Sequence, residues 1–300
     1  MNPKDAVLRA LKNKTVIPAY NIPYLPMVKP IIQAVIDENS VAMIQVARVE
    51  WEKFESGSLE AVAEEYEKYK NEDHTMLHLD HIPVIDEDGR KVEYGSIIER
   101  GIRAGYQSVM IDASRLDLEN NIRVTNEISD LVHKAGIACE AELGSVMGHE
   151  SKTVLPYDEI FNSKKGFTDV KEARLFASES GCDWLSIAAG SIHGAVADAV
   201  RHLKKPEARL DIDHIKVLHE STGIPLVLHG GSGINQSCIQ EAIQAGITKI
   251  NVGTELRQAY EQALMKFNDI ENARAAVYYK TRYVIKEFLC IDNILSLLYG

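Results

Sequence analysis

The feature that most constrains this chain is a rhythm: short apolar, β-branched runs alternate eight times with longer amphipathic stretches. Strand–helix units wound around a parallel sheet produce that alternation. The runs cover residues 16–22, 41–47, 75–81, 108–113, 138–144, 183–189, 225–230 and 249–254. Helical periodicity fills the gaps, for example over 27–38, 59–69, 118–134, 170–180 and 212–221. Gly105, Gly136 and Gly223 each stand one to three residues before a strand, where a left-handed helix stop belongs. Eight units in 300 residues predict an α/β fold, a closed (β/α)8 barrel as a single domain over 1–300, with a helical tail from about residue 269. Residues 144–168 show no clear period and read as a long loop with a turn at Lys164-Lys165-Gly166.

Charge narrows the partners. With 33 basic against 44 acidic residues the formal charge is −11, and no run of five Lys or Arg occurs. Such a chain has no means of neutralising a polyanion, so neither nucleic acid nor an anionic membrane is an expected partner. A small phosphorylated ligand remains compatible, because backbone amides and one or two local cations suffice to hold it. The first sixteen residues carry charges throughout and lack the apolar core of a secretory signal. No apolar run approaches the roughly 20 residues of a membrane span. Cys139, Cys182, Cys238 and Cys290 are widely separated and read as reduced core or near-core residues. These features predict a cytoplasmic protein.

In a barrel of this kind the chemistry gathers at the carboxyl ends of the strands. Strand three ends in His78-Leu79-Asp80-His81, strand six runs into Gly190-Ser191-Ile192-His193-Gly194, and strand seven ends in Leu228-His229-Gly230-Gly231-Ser232-Gly233. Three strand-end histidines, His81, His193 and His229, can converge on one metal ion and leave a position open for substrate. A single histidine there is more often a hydrogen-bonded structural residue; three, beside glycines and an aspartate, point to a ligand set. His78 reads as packing or support, and His74, His133, His202, His214 and His219 as surface residues. Asp112, Glu140-Ala141-Glu142 and, in the long loop, Glu150 place carboxylates at or near the barrel mouth, where burial demands a metal, a partner or a catalytic task. The plainer alternative for Asp112 and Glu142 is a salt-bridged core acid. Glycine-rich turns at 230–233 and around Gly253 follow strands seven and eight, the usual place for a backbone-amide phosphate site in a barrel.

Taken in order, Ala19-Tyr20-Asn21, His78-Leu79-Asp80-His81, Ser108-Val109-Met110-Ile111-Asp112, Glu119-Asn120-Asn121-Ile122, Glu140-Ala141-Glu142-Leu143-Gly144, Ser191-Ile192-His193-Gly194 and the segments 225–233 and 249–255 resemble the class II fructose-bisphosphate and tagatose-bisphosphate aldolases, over about residues 15–260. The resemblance implies a zinc ion held by His81, His193 and His229, with Asp112 and Glu142 near a second divalent position, and room for a monovalent cation. It implies that Asp80 exchanges a proton with the aldehyde-side hydroxyl and that Glu150 moves the proton of the dihydroxyacetone phosphate carbon. Asn21, Gly194, Gly230, Gly231, Ser232, Asn251, Gly253 and Thr254 would bind substrate and its phosphate, and Arg274 matches an arginine that reads the distal phosphate across a subunit contact. A homodimer or homotetramer is the implied assembly. The implied reaction forms or cleaves a ketose phosphate, with dihydroxyacetone phosphate as the common product.

The chain also departs from that family's pattern. Residues 82–94 form an acidic insert, Val196-Ala197 replace the usual Tyr-Lys after His-Gly, Gly253 stands in the phosphate loop, Ala47 ends the second strand where serine is common, and His149 precedes Glu150. These changes leave the metal and proton-transfer residues intact while altering their surroundings, and predict an aldehyde other than glyceraldehyde 3-phosphate, or a modified or monophosphorylated sugar. A barrel that binds sugar phosphate or metal without turnover is the alternative of a different class. Retention of Asp80, Glu150 and the three histidines weighs against it.

Overall fold

The computed structural model describes residues 1–144, 157–191, 208–231 and 233–299. Eight parallel strands close into a barrel in chain order: β1 Ile17–Asn21, β2 Ala42–Ala47, β3 Thr75–Pro83, β4 Ser108–Asp112, β5 Ala138–Leu143, β6 Trp184–Ile187, β7 Leu226–Leu228 and β8 Ile247–Val252. The ring is sealed by β1 on β8, with Ile17 opposite Lys249 and Tyr20 opposite Val252. This is a TIM barrel, as the alternation predicted.

Helices cover the outside because each presents one apolar stripe. Around the ring run α1 Pro3–Lys12, α2 Val28–Asp37, α3 Arg48–Lys53, α4 Leu59–Tyr69, α5 Tyr94–Arg103, α6 Leu118–Lys134, α7 Tyr157–Ser163, α8 Val170–Glu179, α9 Ile212–Thr222, α10 Gln236–Ala245 and α11 Thr254–Phe267. After them come α12 Ile270–Tyr283 and a short α13 Leu295–Tyr299. Side-chain caps fix many starts: Asp117 accepts from Asn120 N, Asp169 from Lys171 N and Asp211 from His214 N. Gly105, Gly136 and Gly223 all adopt positive φ before their strands. No helix among the described residues is long and apolar enough to cross a membrane.

Several expectations need correction. The long loop contains α7, whose Tyr157 and Phe161, four residues apart, pack as a tilted pair beside Phe167 and Arg209. That aromatic contact is tertiary, so no local period announced it. Strand β8 starts at Ile247, two residues early, and β3 continues to Pro83. Cys139 and Cys182 are buried and Cys238 is half-buried, but Cys290 is exposed. His133 is exposed, whereas His74, His214 and His219 are half-buried and anchored on the carbonyls of Ser40, Thr168 and Ile224.

Candidate active site

Strand alternation sends every second side chain inward. Toward the carboxyl end the inward positions are polar rather than aliphatic: Asn21, Gln45, His78, Asp80, Glu140, Glu142, Ser186, His229, Lys249 and Asn251 bond to one another across the barrel. A polar interior survives only if its members are paired.

Strand β3 supplies the most contorted residue. Its register with β4 shifts between Leu79 and Ile82, and His81 within that bulge has φ +39. A non-glycine residue in the left-handed region is strained, and a bulge re-aims the side chain it carries. Here it brings the His81 ring to 4.5 Å from the His229 ring, centroid to centroid. His81 Nδ1 lies 3.3 Å from Asp112 Oδ2, and Asp112 Oδ1 accepts from the Ser114 backbone and hydroxyl. His229 Nε2 donates to Glu140 Oε1 at 3.0 Å, while its Nδ1 stands 3.2 Å from Glu142 Oε2.

Asp80 is buried and accepts from Gln45 Nε2 at 3.0 Å, Asn21 Nδ2 at 3.1 Å and Asn251 Nδ2 at 3.1 Å. Burial opposes its charge, but His81, Lys249 and His229 outweigh that and hold its pKa below the usual carboxylate value. Burial likewise opposes charge on His81, and Asp80, Asp112 and Glu142 overcome it to lift its pKa to about 10. His78 is the opposite case: burial, then Lys249, push it down to about 3, so it is neutral, with Nδ1 2.8 Å from Ser108 Oγ.

The donor chemistry suits a divalent cation. Ligand atoms of Asp80, His81 and His229 lie within 4.8 Å of one another, as do those of His81, Asp112 and Glu142. Imidazoles with carboxylates form a set that accepts zinc. The Glu140 contact to His229 Nε2 is the support a ligating histidine ordinarily has on its far nitrogen. Asp80, Asp112, Glu140 and Glu142 crowd the mouth while Lys249 pairs with Glu140, a concentration of carboxylates that suits a cation. The deeper grouping of His78, Asp80 and Glu140 already holds that ammonium, 2.8 Å from Glu140, and so is a poor metal position.

Of the expected phosphate residues, Gly231 lies so close to β8 that a Cβ on it would stand 2.6 Å from Ile250 Cδ1, and one on Gly253 would stand 3.2 Å from Asn21. Gly230 has φ +73. Thr254 opens the fourteen-residue α11 directly after β8, at the carboxyl end of the barrel. Arg274 sits on α12 and bonds Glu271 one turn away; among the described contacts it touches none of the mouth residues. Glu150, His193, Gly194 and Ser232 lie outside the described residues.

Sequence reasoning noted Glu140 only as a mouth carboxylate without a role, and passed over Glu50, Gln45 and Lys249 as site members. Glu140 and Lys249 carried a usable signal, since each stands two residues before an expected site residue and therefore shares its face. Glu50 carried none. It lies on α3, 7% exposed, with Oε2 accepting from Ala47 N at 2.7 Å and 3.4 Å from Asn21 Nδ2.

Comparison with known proteins shows the family and the fold. The chain is 28% identical to the YdjI aldolase of Escherichia coli K12, covering 96% of this chain and 97% of that one with a TM-score of 0.76. The same fold appears in a putative fructose-1,6-bisphosphate aldolase of Coccidioides immitis, at 23% identity, 100% and 99% coverage and TM-score 0.76. It appears again in the fructose-bisphosphate aldolase of Campylobacter jejuni, at 18% identity, 97% and 96% coverage and TM-score 0.73. The family model "Fructose-bisphosphate aldolase class-II" matches residues 1–291. The chain therefore belongs to the class II fructose-bisphosphate aldolases, a family of metal-dependent carbon–carbon lyases.

Proposed function

We propose that the protein forms or cleaves a ketose phosphate, releasing dihydroxyacetone phosphate and an aldehyde, with zinc held by His81, His193 and His229. The observation that carries this reading is the meeting of His81, His229, Asp112 and Glu142 beside a buried, triply hydrogen-bonded Asp80 at the barrel mouth. Zinc, when bound, supplies Lewis-acid stabilisation for the negative charge that develops on the three-carbon half, so no Schiff-base lysine is required.

The chain's own residues do the rest. Asp80, pinned by Asn21, Gln45 and Asn251, is fixed in orientation and moves the proton of the aldehyde-side hydroxyl. Glu150 moves the proton at the donor carbon. Backbone amides at Gly194, Gly231, Ser232 and Gly253, with Asn251 and Thr254, hold the donor phosphate. Asp112 and Glu142 offer a second, inward cation position. We read the aldehyde as other than glyceraldehyde 3-phosphate, because the metal-binding and proton-transfer residues are kept while their surroundings depart from the family, with Val196-Ala197 removing a cation.

The test is proton exchange at the donor carbon. Zinc-loaded protein with dihydroxyacetone phosphate in deuterated water should lose the hydroxymethyl proton signal in NMR, and a chelator should stop it. A folded, zinc-loaded sample that shows no exchange would refute the assignment of this donor. Aldehyde screening with the same sample then identifies the acceptor.

A further inference from the structure

Lys249 has no exposed surface, yet it stands in a layer that other barrels fill with branched aliphatics. Among the described residues its ammonium meets two acceptors, Glu140 Oε2 at 2.8 Å and Asn251 Oδ1 at 2.8 Å. Each leads to a different part of the site. Glu140 turns its other oxygen to His229 Nε2 at 3.0 Å, while Trp184 Nε1 donates to Oε2 at 2.6 Å. Asn251 turns its amide nitrogen to Asp80, 3.1 Å from Oδ1 and 3.3 Å from Oδ2.

Stability alone does not ask for this arrangement. A buried ion pair replaced by well-packed apolar residues is commonly neutral or stabilising. What the lysine does supply is direction. An ammonium only donates, so Asn251 must present its oxygen to Lys249 and its NH2 to Asp80. Glu140, held between Lys249 and Trp184, meets Nε2 of His229 and so fixes the ring with Nδ1 turned toward Glu142 and the mouth.

We propose that Lys249 is a positioning residue that sets two orientations at once: the ring of His229 through Glu140, and the amide of Asn251 against Asp80. The roles of His229 and Asp80 rest on the function proposed above, whereas the geometric coupling stands without it. Lys249 touches neither donor nor aldehyde, and it acts through its two partners.

The experiment compares Lys249→Met and Glu140→Gln with the wild type, using Zn2+ alone as probe. Zinc affinity is read by competition with a chelating dye, folding by urea denaturation in chelator, and geometry by crystal structures. Both variants are expected to bind zinc about 10- to 100-fold more weakly, the range for losing a residue that orients a metal ligand. In Lys249→Met the Asn251 amide should also leave Asp80. If Lys249→Met does not fold, Glu140→Gln still tests the His229 arm, because it keeps the lysine and changes only the group between it and the imidazole. A merely structural lysine would lower the urea midpoint and leave the zinc affinity within twofold of wild type. That result, or a Lys249→Met crystal structure with both the His229 and Asp80 contacts intact, overturns the proposal. A wild type that fails to bind zinc at all would instead overturn the proposed function.

Discussion

Glu50→Gln should flatten the dependence of stability on pH. Glu50 is almost wholly enclosed by β2, α3 and Asn21. Burial, the largest influence, raises its pKa from 4.5 to about 8; the charge of Asp80 adds to the rise, and the hydrogen bonds from Ala47 and Asn21 oppose it. With its pKa raised, Glu50 binds more protons folded than unfolded between those values. Its contribution is therefore fully present below about pH 4.5 and is lost as pH rises through about 8. A shift of this size corresponds to roughly 4–5 kcal/mol in full, of which about 3–4 kcal/mol falls between pH 5 and pH 8. Glutamine keeps the carbonyl that accepts from Ala47 N and cannot ionise. Urea denaturation of metal-free wild type and variant should thus give equal stability near pH 5, and a variant more stable by about 3 kcal/mol at pH 8. A difference that stays constant within about 0.5 kcal/mol across that range would show that Glu50 does not ionise against its burial, and would refute the reasoning.

Three further outcomes are expected. Trp184→Phe removes the indole donor to Glu140 and should cost about 1.5–3 kcal/mol in urea denaturation; a loss under about 0.5 kcal/mol would mean that Lys249 and His229 alone satisfy the acid. Gly190→Ala should cost at least about 2 kcal/mol, because φ is +109 and the new Cβ would stand 2.5 Å from Arg209 O; a thermal midpoint equal to wild type would contradict this. Glu60→Gln should cost no more than about 1 kcal/mol at pH 7 and less in high salt, since Glu60 and Arg100 are 39% and 43% exposed. The hydrogen bond from Arg100 lowers the Glu60 pKa to about 2, so that small contribution is present above about pH 4.5 and disappears as pH falls through about 2; a loss above about 2 kcal/mol at pH 7 would refute the discount for exposure.

What the sequence determined by itself was whatever local period and residue type encode. Eight apolar runs fix eight strands, and α4 and α6 begin and end at the residues their apolar stripes delimit. Strand ends also gave His81, His229, Asp112, Glu142 and Asp80 as neighbours, because a barrel gathers its carboxyl ends in one place. Tertiary structure decided the rest. The bulge and positive φ that aim His81 depend on how β3 meets β4, which no window of sequence contains. Short α7 exists because Tyr157 and Phe161 find Phe167 and Arg209. Glu50 is silent in sequence, since a helix-capping glutamate looks the same whether its carboxylate faces water or Asn21. Lys249 and Glu140 lie 109 positions apart, and their 2.8 Å contact arises only when β5 and β8 curve toward one axis. Periodicity records which face a residue takes; which residues meet across a closed barrel depends on register and curvature, and those are properties of the assembled sheet.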